Sequence, residues 1–340
     1  MSDIFNKLLI LRTPGIGPVK YADLIRKFGS AQAAAETLNN ISAIRDVVLR
    51  EMETAQKNNI YYISDEDEEY PCALKEVKNH PPVITVRGNI KTLQKPVVSI
   101  VGTRHATAAG IRIASELGKA FAENGYAVAS GMAIGTDSAA HIGALQSLGD
   151  SQTVAVVAGG ADYIWPLENE SLYWKIVERG VVISEMPVGF VPVATNFVQR
   201  NRWVAGICEK LILGEADLKS GSMTTVRFGI DYGRDIYAIP SHPLDSRALG
   251  PNSLIQSGKA KLCMGAEDFF KNEKNVSDRK KSLEKNEKEI SLLDALGTIP
   301  VSESVLAQIV KKSISEIKSN LVVLELQGLV KKVDGGYIRI

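Results

Sequence analysis

The stretch that decides the fold is Val97-Val98-Ser99-Ile100-Val101-Gly102-Thr103-Arg104. Its first five residues predict a buried strand, and the glycine and polar residues after them predict a turn into a helix over 108–124. The same order of apolar strand, turn and helix recurs as far as residue 240. The further strands are predicted at 127–131, 153–157, 181–184, 210–214 and 236–240. Continuous apolar strands alternating with helices predict an α/β fold, with a parallel-rich sheet covered by helices on both faces.

The remaining sequence divides into three parts around this region. Residues 1–62 predict a small all-helical domain, in which the turn sequence 14–18 separates two amphipathic helices. The α/β domain itself is predicted over 63–270, beginning with a connector that carries one or two edge strands. Residues 271–289 hold seven basic and five acidic residues and predict a flexible linker. Residues 290–340 predict three helices and a hairpin with an Asp-Gly-Gly turn, which together indicate a winged helix.

Composition limits the classes of function. The 340 residues carry a formal net charge of only +1, so any site for a nucleic acid must be built from local groups. The three cysteines (Cys72, Cys208 and Cys263) form no CxxC pair, which favours a reduced, cytoplasmic chain. The opening segment lacks the pattern of a secretory signal, and no apolar run approaches the roughly 20 residues that a membrane-spanning helix needs. We therefore expect no membrane partner.

Three of the predicted strands end in glycine-rich loops. Such loops expose backbone N–H groups at the start of a helix, where the helix dipole adds positive partial charge that suits a phosphate. The candidate site residues in these loops are Gly102, Thr103, Arg104, Ser130, Gly131, Met132, Gly135, Thr136, Gly159 and Gly160. A tight turn with a surface arginine explains the first loop equally well, and Asp137 is better explained as a helix cap. Together, the three loops predict a concave anion site lined by backbone groups.

The segment 196–206 is the most informative. It contains Gln199, Arg200, Asn201 and Arg202, directly before a helix predicted over 200–208. Arginines at a helix start oppose the dipole, and a bound anion would offset that cost. The alternative is a salt bridge to Glu185 or Glu215. The hydroxyl-rich sequence Ser220-Gly221-Ser222 begins a further helix and suits either phosphate binding or self-capping.

The residues do not predict catalysis. The four histidines lack metal-ligand spacing, no GxSxG motif is present, and Cys208 is better explained as a core residue. The first loop is not GxGxxG and no Walker lysine follows it, which argues against a dinucleotide or a nucleoside triphosphate. We therefore predict no catalytic residue, no metal ion and no cofactor.

Several blocks of the sequence together resemble the DprA/Smf family of DNA-processing proteins, across roughly residues 80 to 265. The blocks are Ile100-Val101-Gly102-Thr103-Arg104, Ser130-Gly131-Met132-Ala133-Ile134-Gly135-Thr136-Asp137, Ser184-Glu185, Arg200-Asn201-Arg202-Trp203-Val204-Ala205-Gly206, Glu215-Ala216, Ser220-Gly221-Ser222, Gly233-Arg234 and Gly250-Pro251-Asn252-Ser253-Leu254-Ile255. Their order and spacing also match. The set is specific, whereas any single block is not.

The resemblance implies an extended Rossmann-like fold that binds single-stranded DNA without sequence preference. It also implies a homodimer that loads the RecA recombinase onto incoming DNA during natural transformation. Arg104 matches the DNA-contacting arginine of the family, and Arg200, Asn201 and Arg202 match a block that lines the same pocket. Leu167 stands where some members carry a DNA-contacting lysine. Val198 and Ser241 also depart from the family pattern, replacing its usual proline and glycine.

The flanking domains fit the same family and leave alternatives open. The sequence 14–18 resembles the hairpin of a SAM-like or helix-hairpin-helix domain, whose N–H groups can hold a DNA phosphate, but a plain tight turn is as good an explanation. The winged helix suits duplex DNA, a protein partner or support of a dimer. The alternative function is a nucleotide-processing enzyme of the phosphoribohydrolase type, although its Pro-Gly-Gly-x-Gly-Thr block is missing. An NAD-dependent dehydrogenase fits least, because the GxGxxG motif is absent.

Overall fold

The computed structural model describes residues 3–38, 41–148, 152–270, 292–293, 295–297, 300–333 and 335–339. These residues form two compact units, one that ends at Phe269 and another that begins at Phe270. The first unit holds the sheet and the N-terminal helices. The predicted linker at 271–289 lies outside the described residues. The predicted division at 1–62, 63–270, 271–289 and 290–340 stays a prediction.

The first unit is built on one mixed sheet with the strand order β1-β2-β6-β5-β4-β3-β7-β8-β9. The strands are β1 (Ile60–Ser64), β2 (Val83–Gly88), β3 (Val97–Val101), β4 (Ala127–Ser130), β5 (Thr153–Val156), β6 (Val181–Ser184), β7 (Lys210–Leu213), β8 (Asp235–Ala238) and β9 (Lys261–Leu262). All pairs from β6 to β9 are parallel, whereas β1 pairs antiparallel with β2 and β2 with β6. The predicted parallel-rich α/β fold is therefore confirmed.

Helices cover both faces of the sheet. Those of the first unit are α1 (Asp3–Leu11), α2 (Pro18–Phe28), α3 (Ala31–Glu36), α4 (Ile41–Lys57), α5 (Cys72–Lys75), α6 (Ala108–Glu123), α7 (Thr136–Leu145), α8 (Glu170–Arg179), α9 (Ala194–Gly206), α10 (Gly221–Asp231) and α11 (Leu249–Gln256). Successive side chains of a strand point to opposite faces. Val97 and Val101 accordingly join the core beneath α9 and α10. Ser99 points the same way, and its hydroxyl donates to the carbonyl of Val204 at 2.6 Å.

The N-terminal helices pack around their own core and onto the first strands. Phe5, Leu8 and Leu9 of α1 are buried in this core, as is Val83 of β2. Gly29 ends α2 with a φ of 81°, a left-handed conformation that glycine adopts without strain. The predicted boundary between residues 62 and 63 falls within β1, a strand that the sequence analysis did not predict.

The second unit contains a winged helix, as predicted. Its described elements are the helices Glu303–Val310 and Ile314–Leu326 and the strands Val330–Val333 and Gly336–Arg339. The two strands pair antiparallel, with Val333 opposite Gly336. Leu306, Ile317 and Leu321 are fully buried between these elements. The predicted helix around 290–296 lies mostly outside the described residues.

One predicted helix boundary is wrong and changes the account of the site. The helix predicted over 200–208 begins at Ala194, six residues earlier. Its start is stabilised by Asn196, whose Oδ1 accepts a hydrogen bond from the backbone N–H of Val193 at 2.9 Å. Arg200 and Arg202 therefore lie well inside α9, and the argument that they oppose the dipole at its start does not hold.

Candidate nucleic-acid interface

The site lies where the chain reverses its direction across the sheet. β3 has β4 on one side and β7 on the other, and the helices after β3 and β7 run to different faces. In open α/β sheets, the crevice beyond the carboxyl ends of strands at such a switch point is the usual ligand site. Here it is a cleft of about 270 Å³. The predicted site residues that line it are Gly102, Thr103, Arg104, Gly131, Arg200, Asn201, Ser220, Gly221 and Ser222.

The backbone groups after β3 are already engaged by the protein itself. Thr107 caps α6 by accepting a hydrogen bond from the N–H of Gly110 at 2.9 Å. The carboxylate of Glu215 accepts hydrogen bonds from the N–H of Thr107 at 2.7 Å and from its hydroxyl. The carbonyl of Glu215 accepts from the N–H of Thr103 at 2.6 Å. The positive end of α6 is thus occupied by an internal carboxylate, so the expectation that a phosphate rests on this helix start is corrected.

The backbone N–H groups of the loop after β4 are also engaged by an internal carboxylate. Asp137 Oδ2 accepts hydrogen bonds from the N–H groups of Gly131 at 3.1 Å and Ala133 at 3.4 Å. Burial raises the pKa of Asp137, while the charge of Arg200 and these N–H groups lower it. The other candidates in this loop are structural, because Ser130, Met132 and Thr136 are all buried. This loop supplies a wall of the cleft rather than a set of open amide donors.

Arg200 forms the floor of the cleft. Its side chain is buried, and Nη1 donates to the carbonyl oxygens of Gly131 and Val156. Burial lowers the pKa of Arg200 to about 10, with Asp137 opposing the shift, so the guanidinium remains charged at neutral pH. A Cβ at Gly131 would lie 2.4 Å from Nη1, so only glycine leaves room for this arginine. The predicted alternative, a salt bridge from this segment to Glu185 or Glu215, does not apply to Arg200.

Arg202 does not belong to the cleft. Residues two apart on an α-helix point about 200° away from each other, so Arg200 and Arg202 cannot share a site. The guanidinium of Arg202 lies 4.7 Å from the ring centre of Trp203, and its Nε is 3.4 Å from the hydroxyl of Tyr232. Burial raises the pKa of Glu185, and the charge of Arg202 opposes part of that shift. The expectation of three arginines above one cleft is therefore corrected to two.

The start of α10 forms another wall of the cleft. Ser220 caps this helix by accepting a hydrogen bond from the N–H of Met223 at 3.4 Å, which is the predicted self-capping. Ser222 donates its hydroxyl to the carbonyl of Gly102 at 2.6 Å and so ties α10 to the end of β3. Asn201 Nδ2 lies 3.4 Å from the carbonyl of Gly221. The first turn of α10, whose N–H groups have no acceptor within the helix, faces the cleft.

The sequence analysis missed an aromatic pair beside the cleft. The rings of Trp165 and Phe197 lie 4.4 Å apart at 59°, and both side chains are half-buried. The guanidinium of Arg104, which is exposed, lies 5.2 Å from the centre of the Trp165 ring. Gly159 and Tyr163 line a small neighbouring cavity together with these rings. Phe197 lies within the segment 196–206 that the sequence analysis singled out, but neither aromatic residue was considered as a site residue.

The other candidates lie around the cleft rather than in it. Gly135 makes the turn into α7 with a φ of 81°, packed against the carbonyls of Thr103 and Arg104. Gly160 is buried beside Asp162, and Gln199 is half-buried on α9. Within the described ranges, no three His, Cys, Asp or Glu side chains lie together as a metal site would require. No helix in the described part of the chain is long and apolar enough to cross a membrane.

The fold and cleft define an α/β protein with a cationic, ligand-sized crevice at the switch point of its sheet. Along the chain, a helical domain precedes this sheet and a winged helix follows it. Three family models match along the chain: a DprA-like N-terminal HHH domain at residues 2–60, the DNA recombination-mediator protein A at 61–274 and a DprA winged helix domain at 278–336. The chain belongs to the DprA/Smf family of DNA-processing proteins, as its sequence blocks indicated.

Individual relatives are moderately similar. The Smf protein of Synechocystis is 34% identical over 61% of this chain and 52% of its own length, so the match spans about half of that relative. The X-ray structure of DprA from Streptococcus pneumoniae aligns with a TM-score of 0.64 at 29% identity, covering 80% of this chain and 99% of that one. The DprA structure from Helicobacter pylori, described for its single-stranded DNA binding mode, aligns with a TM-score of 0.56 at 28% identity, covering 65% and 96%.

Proposed function

We propose that this chain binds single-stranded DNA, without sequence preference, in the cleft at the carboxyl end of β3. The observation that carries the proposal is the position of Arg104, an exposed arginine at the rim of a cleft whose floor is the buried, charged Arg200. An arginine can hold a phosphate through two parallel hydrogen bonds. The first turn of α10 adds backbone N–H groups on the opposite wall. The similarity to the Helicobacter pylori protein supports the same ligand.

The buried titratable groups in and around the cleft suit binding to the sugar–phosphate backbone better than catalysis. Asp137 is buried against Arg200 and two backbone N–H groups, and Glu215 is bonded to Thr107. His141 lies fully buried, and its pKa is lowered to about 3 by burial and by the charge of Arg200. None of these groups is placed to take a proton from a substrate in the cleft. We therefore infer that the protein is not an enzyme.

The family implies a larger role, which we also propose for this chain. As a cytoplasmic homodimer, it would pass bound single strands to the RecA recombinase during natural transformation. The helical domain and winged helix would then serve partner or DNA contacts outside the cleft. Sedimentation of the purified chain tests the dimer. RecA filament formation on DNA coated with single-strand-binding protein, with and without this chain, tests the mediator role.

The test of the cleft is an anisotropy titration of a labelled oligothymidine with the wild type and with Arg104→Ala. We expect the variant to bind at least ten times more weakly, to all base compositions alike, because a phosphate contact carries no sequence information. Arg112→Ala is the matched control: Arg112 is an exposed arginine on α6 that pairs with Glu116 at 2.8 Å. Equal affinity of Arg104→Ala and the wild type would show that the DNA binds elsewhere.

A further inference from the structure

We propose that Glu51 is a positioning residue for the DNA cleft, although it lies on α4 of the helical domain and does not line the cleft. It would fix the β6–α9 loop (residues 185–193), which joins the end of β6 to the start of α9. Through this loop it would hold α9, the helix that carries Arg200 at the floor of the cleft. The inference rests on the proposed function and deepens it, because it assigns part of the geometry of the cleft to the helical domain.

The carboxylate of Glu51 connects the helical domain to the β6–α9 loop. Its Oε2 accepts a hydrogen bond from Arg12 Nε of α1 at 2.7 Å. Its Oε1 accepts three, from Arg12 Nη2 at 2.8 Å, from the hydroxyl of Tyr62 in β1 at 3.1 Å and from the backbone N–H of Val188 in the loop at 3.4 Å. Because the side chain is buried, water competes little for these donors. One oxygen atom therefore links α1, β1 and the loop.

Apolar contacts hold the loop against the same carboxylate. Val188 packs with Ala55 of α4, Ile60 of β1 and Ala161, which follows β5. Ala55 lies one helical turn after Glu51, so both residues face the loop from the same side of α4. The loop is thereby fixed at Val188 by the helical domain and the sheet together.

The residues after Val188 lead directly to the cleft. The carbonyl of Phe190 accepts a hydrogen bond from the N–H of Gly160 at 3.0 Å, and Pro192 lines a small cavity together with Arg200. Helix α9 begins two residues after Pro192. A segment this short and this closely bonded has little freedom, so a shift at Val188 changes the position of α9 and of Arg200.

Stability alone does not explain a buried carboxylate at this junction. Replacing a buried ion pair by apolar side chains of similar volume is often neutral or stabilising. An apolar side chain in place of Glu51 would, however, leave the hydroxyl of Tyr62 and the N–H of Val188 without this acceptor, and buried donors are nearly always paired. Glu51 therefore contributes what packing does not, a fixed acceptor for the loop.

The experiment separates the acceptor from the ion pair by comparing Glu51→Ala with its matched control, Glu51→Gln. Glutamine keeps an Oε1 for Tyr62 and Val188 but loses the charge that pairs with Arg12, whereas alanine loses both. Both variants should therefore unfold at lower urea concentrations than the wild type. Only Glu51→Ala should bind oligothymidine more weakly, by about fivefold, which corresponds to the net contribution of one hydrogen bond. The slope of log affinity against log salt should not change, because no phosphate contact is lost.

A second comparison removes the effect of stability. In the double variant Arg12→Met/Glu51→Leu both charges are replaced, so no unpaired buried arginine remains and the free energy of unfolding should recover. The affinity for oligothymidine should stay as low as in Glu51→Ala, because the acceptor is still missing. This variant also replaces Glu51→Ala if the latter does not fold. Binding as tight as that of the wild type would overturn the positioning role.

The remaining outcomes separate this inference from the proposed function. Equal affinities of the wild type and both single variants, or equal losses in both variants, leave Glu51 a role in stability alone and overturn the inference. A smaller salt slope in Glu51→Ala also overturns it, because the helical domain would then contact phosphate directly. Arg104→Ala tests the cleft independently: if it binds as the wild type does, the cleft is misassigned. A loss in Arg104→Ala with none in Glu51→Ala rejects only the positioning role.

Discussion

A single methyl group at Gly131 is expected to disrupt the floor of the cleft. In Gly131→Ala the new Cβ would lie 2.4 Å from Nη1, 2.6 Å from Cζ and 2.8 Å from Nη2 of Arg200. Ordinary contacts begin near 3.4 Å, so the guanidinium must move by roughly 1 Å. It cannot do so freely, because Nη1 donates to the carbonyls of Gly131 and Val156. The substitution therefore forces overpacking and the loss of at least one hydrogen bond from a charged donor.

The magnitude follows from these two effects. Overpacking costs about 1–3 kcal/mol, and a hydrogen bond to a charged group contributes about 1.5–3 kcal/mol. We expect the free energy of unfolding to fall by about 3 kcal/mol, which lowers Tm by roughly 6–12 °C in a unit of this size. Urea and thermal unfolding measure both. Binding of oligothymidine should weaken in the same variant, because the charge beneath the cleft is displaced.

A double-mutant cycle with Arg200→Met tests the stated cause. Methionine removes the guanidinium that the methyl group strikes, and Asp137, whose pKa burial already raises, can take up a proton when its partner is lost. Gly131→Ala should therefore cost much less in the Arg200→Met background than alone, with a coupling of about 1–3 kcal/mol. Additive effects would show that the clash with Arg200 is not the reason for the instability.

Three further predictions concern salt, pH and the helical domain. Arg104→Ala should reduce the slope of log affinity against log salt by about 0.7, the value for one phosphate contact on a single strand, and an unchanged slope would contradict that contact. The hydrogen bond to Asp65 raises the pKa of His80 above its usual 6.5. The pair therefore makes its full contribution to the free energy of unfolding below about pH 6.5, and loses it as the pH rises through the folded-state pKa. His80→Gln should accordingly flatten the dependence of Tm on pH between about pH 6 and 8. Glu51→Gln should lower the free energy of unfolding by about 3 kcal/mol, because the carboxylate of the buried Glu51 accepts hydrogen bonds of 2.7 and 2.8 Å from Arg12. Urea titrations measure this change, and a loss below about 1 kcal/mol would refute that role.

The sequence predicted the sheet and the cleft because both depend on strong local signals. Continuous apolar strands specify a buried parallel sheet, and glycine after a strand specifies a tight turn at its carboxyl end. These two signals place Gly102, Gly131 and Ser220 beside one another without knowledge of any side-chain contact. The start of α9 was predicted wrongly because its cap position carries Val193, which is not a usual capping residue. The residue that stabilises this start is Asn196, inside the helix.

The side chains that decide the chemistry were harder to predict. Arg200 and Arg202 appear equivalent in the sequence, and only the position of the helix around them reveals that they point apart. Trp165 and Phe197 are 32 positions apart along the chain, on a loop and on a helix, so no sequence spacing indicates their contact. Long-range contacts of this kind depend on how elements pack, which a local pattern does not encode.

The occupied helix starts change how the cleft would hold an anion. Sequence patterns suggested a cradle of open amide groups, but Glu215 and Asp137 already accept hydrogen bonds from two of the three loops. These carboxylates hold the loops in shape without a ligand, so the cleft is preorganised and binding needs little ordering of the backbone. The cost is that fewer amide groups remain for phosphate, and the attraction must come from Arg104, Arg200 and the start of α10. A site with so few contacts per nucleotide gains affinity by engaging several nucleotides or several subunits at once, as the proposed transfer of the strand would require.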